Sequence, residues 1–546
     1  MKRIHLIFLS LFSGLLLGIS WPETGSITFL IFFAFVPLLW SVHHIISHPS
    51  NYNRSLVFSC SFITFFTWNC ITVWWIKNAS IESGVLALIS NTLFMVGAFC
   101  IYTSSIKRIS HPYALVLFIP FWISFEYLHL HWDLTFPWLN LGNVFAKNVW
   151  LIQWYEYTGT FGGTAWVLLA NVLFFQLLKQ IVALSEKRRI LLKSVQIIGV
   201  LLIPILISVG VNRSLTAEKK NTITAVIVQP NIDPYNEKFN GNYMSHLQKM
   251  FSLAAEKVDS STDYLVLPET ALQENLWENN LGESESVKFI QQFIHQYPKL
   301  KVVIGANSGR MYKINETPSS TAHQNERDKM YYDDYNTALQ IDSSEKIQVY
   351  HKSKLVPGVE MMPFPWLLKP LGDVAVKLGG ANSSYGVQEN RSVFVSSNNF
   401  VKVAPVICYE SVYGEYLNNY ILNGANVIFI ITNDGWWGDT PGSRQHLDYA
   451  RLRAIETRKS IVRSANTGIS CFINEQGNVS QSTTWWQPAV IKESVTLNDE
   501  FTFYVKHGDY IAKLAVFIVA LTILYAFFVN LYLTKRTNNP LKNIKP

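Results

Sequence analysis

The sequence predicts a polytopic α-helical membrane domain of eight spans joined to an α/β domain, and three observations predict it. Charged residues make up 15% of the 546 residues, well below the roughly 25% of a soluble globular chain. Seven apolar runs precede residue 212 and an eighth follows residue 509. The stretch between them alternates β-rich and helix-periodic segments at ordinary polarity, and its length of about 300 residues is ample for a core of its own.

A hydrocarbon layer of about 30 Å takes about 18 or more apolar residues at 1.5 Å per residue. Runs of this kind centre on Ile7–Trp21, Ile27–Ile46, Leu56–Ile76, Gly84–Tyr102, Tyr113–Leu128, Thr164–Leu184, Ile190–Val211 and Tyr510–Leu533. No small-residue cleavage site follows the first, and further spans come directly after it, so it reads as a retained helix rather than a signal peptide. With a cytoplasmic N-terminus, the cytoplasmic segments hold Lys2, Arg3, Arg54, Lys107, Arg108, Lys179, Lys187, Arg188, Arg189, Lys193, Lys535, Arg536, Lys542 and Lys545, and the opposite short loops only Lys77 and Lys147. The positive-inside rule then predicts residues 212–509 outside the cytoplasm, with both termini inside. The loop His129–Gly163 carries Trp132, Phe136, Trp138, Trp150 and Trp154, a composition suited equally to an aromatic belt at the headgroup level or to guiding a substrate.

The predicted domains are therefore 1–211, seven spans; 212–509, the extramembrane domain; and 510–546, the last span and its tail. In the middle domain, strands are expected at Thr222–Val228, Asp263–Leu267, Lys301–Ile304, Thr337–Ile341, Ile347–Tyr350 and Val427–Ile431, as a pair within Val393–Ile407, and from Ile461 to Asn474. Helices are expected at Tyr243–Val258, near Ser286–Tyr297 and near His446–Lys459, and Gly309–Asp334 reads as a polar, mobile insertion.

Net charge is +7, but residues 212–509 hold 28 Lys/Arg against 32 Asp/Glu, leaving 17 against 6 elsewhere. The basic excess belongs to helix edges and gives no support to a nucleic-acid partner. Five scattered cysteines form neither a disulfide framework nor a zinc motif, so no metal or cofactor is expected.

Three reactive residues follow the ends of apolar strands, where an open α/β sheet presents its site: Glu269 after Leu265-Val266-Leu267-Pro268, Lys352 after Val349-Tyr350-His351, and Cys408 after Ala404-Pro405-Val406-Ile407. Singly, each has an ordinary reading as a loop acid, a surface charge or a buried small hydrophobe. Their flanks change this. Leu267-Pro268-Glu269-Thr270, Tyr350-His351-Lys352 with Leu355-Val356-Pro357 and Glu360, Cys408-Tyr409-Glu410, the run Asn433-Asp434-Gly435-Trp436-Trp437-Gly438-Asp439, and Gln445-His446-Leu447 with Ala450-Arg451-Leu452-Arg453-Ala454 resemble the carbon–nitrogen hydrolase (nitrilase) superfamily. Among its branches the chain most resembles the apolipoprotein N-acyltransferase family, in span order as well as motifs; Phe136-Pro137-Trp138 resembles another motif of that family.

The resemblance implies a nitrilase-like α-β-β-α sandwich outside a bacterial inner membrane, a Glu269, Lys352, Cys408 triad, and supporting roles for Glu360, Tyr409, Glu410 and Asn433. It departs at Gly358-Val359, where the family has Phe-Gly, and at Lys238-Phe239, where it has a tryptophan; Phe239 is the expected lid residue. The implied partners are a phospholipid donor such as phosphatidylethanolamine, a diacylglyceryl apolipoprotein acceptor and the bilayer, with the protein acting as a monomer. A membrane-tethered amidase whose acyl-enzyme is resolved by water is the alternative. A transporter is disfavoured because, apart from the basic residues at the cytoplasmic edges, Glu126 and Lys513 are the acidic and basic side chains in or at the margins of the spans, and both sit near span ends. Cys471 reads as structural. The apolar, proline-bent segment Met361–Leu368, with Phe364 and Trp366, is expected to dip among acyl chains or to pack beneath the domain.

Overall fold

The computed structural model describes residues 1–106, 114–214, 221–238, 242–325, 329–344, 346–368 and 384–537. Phe239, and Lys107, Arg108, Lys542 and Lys545 among the charges used for topology, lie outside them. Among the described residues seven helices are long and apolar enough to cross a membrane: Arg3–Ser20, Thr28–Ser47, Ser55–Thr72, Ile81–Ile106, Tyr155–Val182, Lys187–Ser214 and Tyr510–Val529.

The expected fifth span is shorter. It runs Ala114–His129, a 3-10 turn at Ala114–Leu117 followed by an α-helix at Phe118–His129. Pro120 has no N–H and its ring clashes with the carbonyl four residues earlier, so it is tolerated only in the first turn and sets where the α-helix begins. The helix expected from Thr164 begins earlier, at Tyr155, and is broken at Gly159, whose φ of 59° suits a residue without Cβ. Lys187–Ser214 buries only Ile197 and Ser208; its apolar sides face outward, as a lipid-facing helix requires.

The α/β domain has two sheets packed face to face. In the first, Ala489–Thr496, Thr222–Gln229, Tyr264–Val266, Lys301–Met311 and Tyr331–Ile341 are neighbours in that order. Gln348–His351 pairs with Tyr331–Ile341, and Leu272–Trp277 with Lys301–Met311. In the second, Cys471–Ile473, Ile461–Ala465, Val427–Thr432, Lys402–Ile407 and Phe394–Val395 follow one another. Val427–Thr432 is buried at all positions, as a parallel strand covered on both faces must be. The layer between the sheets holds Ile227, Val266, Val303, Val403, Phe429 and Val462. Helices Tyr243–Ala255 and Glu285–Ile294 cover the first sheet through Phe251, Val287 and Ile290; Gly414–Leu422 and Pro441–Thr457 cover the second through Leu417, Ile421 and Ala450. This is the expected α-β-β-α sandwich.

The segment Gly309–Asp334 corrects the expected loop. Its ends extend one antiparallel ladder, with Gly309 opposite Asp334 and Met311 opposite Tyr332, and Asp333, buried, accepts hydrogen bonds from the hydroxyls of Tyr312, Ser319 and Thr321. Polar composition hid the strand because its side chains are satisfied by one another.

Candidate active site

Glu269, Lys352 and Cys408, far apart in sequence, meet where the two sheets end. Lys352 Nζ donates to Glu269 Oε1 at 3.0 Å and to Glu360 Oε1 at 2.7 Å. Asn336 Nδ2 donates to the same two oxygens, at 2.8 and 3.0 Å, and its carbonyl accepts the Lys352 backbone N–H at 2.8 Å. Glu360 Oε2 accepts the Val356 N–H at 2.8 Å. Glu269, Lys352 and Cys408 are all buried, so these charges interact with little screening by water. Gly305 makes the close packing feasible: a Cβ there would lie 2.6 Å from Glu269 Cα and 2.5 Å from Thr270 N.

Burial alone would raise the Glu269 carboxyl, but the Lys352 ammonium, Asn336 and Lys238 outweigh it and hold it below the usual carboxylate range. For Lys352 burial favours the neutral amine, and the carboxylates of Glu269 and Glu360 reverse that, holding it well above the usual lysine range. Burial pushes the Cys408 thiol up, the Glu269 charge adds to this, and Lys352 opposes it. The resting sulfur is therefore a thiol with a carboxylate and a cation in its surroundings.

Cys408 follows the strand Lys402–Ile407 with φ of 49°, a left-handed conformation uncommon for a residue with a Cβ. The next residues lock the turn. Glu410, fully buried, accepts from Ile407 N at 2.9 Å, Ser353 N at 2.8 Å, Tyr350 Oη at 2.7 Å and Tyr416 Oη at 2.5 Å. One carboxylate thus ties the strand before the cysteine to the residue after Lys352. Tyr409 points the other way, its hydroxyl donating to the Thr135 carbonyl at 3.0 Å in the long loop of the membrane domain.

Of the other expected residues, Asn433 is buried, with its side-chain amide 3.1 Å from Asn466 Nδ2. Phe364 packs against Trp132 with ring centres 6.2 Å apart, and its N–H donates to Asp133 Oδ2 at 2.8 Å. Trp366 is 76% exposed. The segment therefore rests on the membrane domain through Phe364 and leaves Trp366 outward. Three side chains were missed as site members: Asn336, signalled only by a polar residue inside a buried strand; Lys238, buried, whose ammonium donates to the Glu269 carbonyl at 3.3 Å and to the Thr270 hydroxyl; and His446, behind Cys408.

Residues 224–500 match the carbon-nitrogen hydrolase family, and residues 13–173 match the N-terminal domain of apolipoprotein N-acyltransferases. The chain belongs to the carbon–nitrogen hydrolase family. Among curated relatives, the apolipoprotein N-acyltransferase of Chlorobaculum tepidum is 29% identical over 538 residues, 95% of this chain and 96% of that protein. Those of Geobacter metallireducens and Thermotoga maritima are 26% and 24% identical, again over 95% of this chain and over 95% and 93% of theirs. With both matched regions present in the same chain, the protein is an N-acyltransferase that carries transmembrane helices.

Proposed function

We propose that the protein transfers a fatty acyl chain from a membrane phospholipid, through a thioester on Cys408, to the N-terminal α-amine of S-diacylglyceryl-cysteine on apolipoproteins, the last step of lipoprotein maturation. The observation that carries this reading is the contact of Lys352 with both Glu269 and Glu360, in a family fold whose cysteine loop is also bonded to a membrane-domain loop through Tyr409 and Thr135. Donor and acceptor are both lipids and compete for one place. A covalent intermediate separates them in time.

In the first half-reaction the Cys408 proton passes to Glu269 as the sulfur attacks the phospholipid carbonyl carbon. Lys352 stabilises the oxyanion of the tetrahedral intermediate; a single such donor is worth about 3–4 kcal/mol. Collapse breaks the ester C–O bond, and Glu269 returns the proton to the departing lysophospholipid oxygen. In the second half-reaction the acceptor ammonium releases one proton to solvent, the amine attacks the thioester, and its remaining surplus proton reaches the Cys408 sulfur by way of Glu269. Glu360 and Asn336 keep Lys352 and Glu269 in register throughout.

The distribution of Lys and Arg supports an inner-membrane protein with both termini cytoplasmic and the α/β domain periplasmic. Phosphatidylethanolamine is the proposed donor, and the protein is proposed to act as a monomer. The test is mass spectrometry of the intact protein incubated with phospholipid alone, followed by addition of a diacylglyceryl peptide. An acyl adduct on the Cys408 peptide that then moves to the peptide amine is expected. An adduct elsewhere, full activity of Cys408→Ala, or free fatty acid as the only product would overturn the proposal.

A further inference from the structure

We propose that His446 is a positioning residue for Cys408, acting through the Cys408 carbonyl; this rests on the reading of Cys408 as the acyl carrier. A cysteine at φ of 49° holds a strained backbone conformation that persists only where its surroundings fix it. The Cys408 carbonyl accepts the Ser411 hydroxyl at 2.7 Å, and His446 Nε2 lies 3.1 Å from the same carbonyl and 2.8 Å from Ser411 Oγ. On the other side of the ring, His446 Nδ1 lies 2.9 Å from Asp434 Oδ1.

Asp434 is itself pinned. Its Oδ1 accepts the Thr432 hydroxyl at 2.7 Å, and its Oδ2 accepts from Arg463. Burial would raise this carboxyl, but Arg463 and His446 hold it well below the usual range, so it acts only as an acceptor. The Arg463 guanidinium also lies 3.3 Å from Nδ1, so the same carboxylate and guanidinium hold the ring's far edge. A hydrogen on Nε2 lets His446 donate to the Cys408 carbonyl, while Nδ1 on the far side of the ring is fixed against Asp434. His446, Asp434 and Arg463 are fully buried, so none of these bonds competes with solvent. Trp437 of the same domain lies 5.5 Å from the ring, and the membrane domain holds it too: Trp138 lies 5.9 Å away, and the adjacent Gln445 accepts from Trp138 Nε1 at 2.8 Å and donates to the Pro22 carbonyl at 3.0 Å. The aim of the sulfur is thereby set from behind, by a chain that ends in the membrane domain.

The test compares full-length His446→Gln, His446→Leu and Cys408→Ala, measuring the rate of Cys408 acylation by phospholipid, donor KM and melting temperature. His446→Gln keeps an N–H for the carbonyl and is expected within about 10-fold of the parent rate, whereas His446→Leu falls about 100-fold, the scale of a small misplacement of a reacting group. Donor KM stays within about 3-fold in both, since the substrate site is untouched. Equal rates for the two variants at matched melting temperature, or a loss confined to KM, overturns the proposal. Should the Leu variant fail to fold, Ser411→Ala removes the other donor to the same carbonyl; combined with His446→Gln it is expected to lose more than the two single losses multiplied, and simple multiplication overturns the proposal. Acylation persisting in Cys408→Ala would instead reject the nucleophile reading beneath it.

Discussion

Glu456 Oε1 accepts the backbone N–H of Thr160 at 3.1 Å, joining the α/β domain to a break in a membrane helix. The helix Tyr155–Val182 is interrupted at Gly159, so the amide that follows lacks its partner four residues back. Glu456 supplies the missing acceptor, and Arg453 grips the same carboxylate through Nε at 2.7 Å and Nη2 at 2.8 Å. Both side chains are buried.

Glu456→Ala should therefore be severe, because it strands a buried guanidinium; removing one partner of such a pair costs about 3–5 kcal/mol. Glu456→Gln keeps an acceptor for Thr160 and should cost clearly less. Thermal unfolding in detergent gives the order Glu, Gln, Ala, and an Ala variant that melts with the parent would show that this joint does not hold the domains.

Lys238 gives a pH dependence of definite sign. Burial lowers its ammonium to about 8, against the opposing pull of Glu269 and Cys408. The folded value thus lies below the ordinary 10.5 of a lysine, and between these two pH values the unfolded chain binds more protons than the folded one, so stability rises with pH. Below about pH 8 both states are protonated and the cost of burying the charge is constant. Relative to Lys238→Met, the parent should gain on the order of 3 kcal/mol between pH 8 and 10.5. A melting-temperature difference that stays flat across this window would refute the assignment.

Glu410 should matter to rate through geometry rather than contact with substrate. Its carboxylate receives the N–H groups of both Ile407 and Ser353, and an amide at this place would turn its own N–H groups toward one of these donors. Leaving a buried donor unsatisfied costs about 1–3 kcal/mol. Glu410→Gln is expected to lower kcat by about 10-fold or more with a smaller change in donor KM. A change in KM alone would place Glu410 in substrate binding instead.

What the sequence made legible follows from how local each signal is. The residues at Glu269, Lys352 and Cys408 stand just past apolar strands, and both the strands and the motifs around them are continuous in sequence, so the cluster was readable. Asn336 was not, because its role depends on a register that sets Thr337 opposite His351, one step from Lys352. The helix Pro441–Thr457 was located but its burial was not: Gln445, His446, Asp448, Arg453 and Glu456 are all buried, a polar set that reads as a solvated face until a membrane domain covers it. Leu272–Trp277, Val479–Ser480 and Ala489–Thr496 were overlooked as strands, the last carrying Lys492-Glu493-Ser494 inside an eight-residue run that closes the edge of the first sheet against Thr222–Gln229. An edge strand with one wet face has little apolar signal to offer.

Trp366 provides the test of how the donor is reached. Its ring is 76% exposed while Phe364 beside it is anchored on Trp132 and Asp133, so the outward ring adds nothing to the packing of the domain, and exposing it to water alone would be unfavourable. If it dips among acyl chains, Trp366→Ser should leave the melting temperature in detergent unchanged and slow acylation from long-chain phospholipid vesicles about 10-fold, the scale of losing about 1.4 kcal/mol of apolar contact. Hydrolysis or transfer from a short-chain soluble ester should be unaffected, because that donor reaches Cys408 without crossing the interface. Phe364→Ser should slow both donors, since the same change loosens the segment that follows Glu360 and thereby the carboxylate paired with Lys352. Equal slowing of both donors by Trp366→Ser would mean that the ring belongs to the catalytic face and has no part in lipid access.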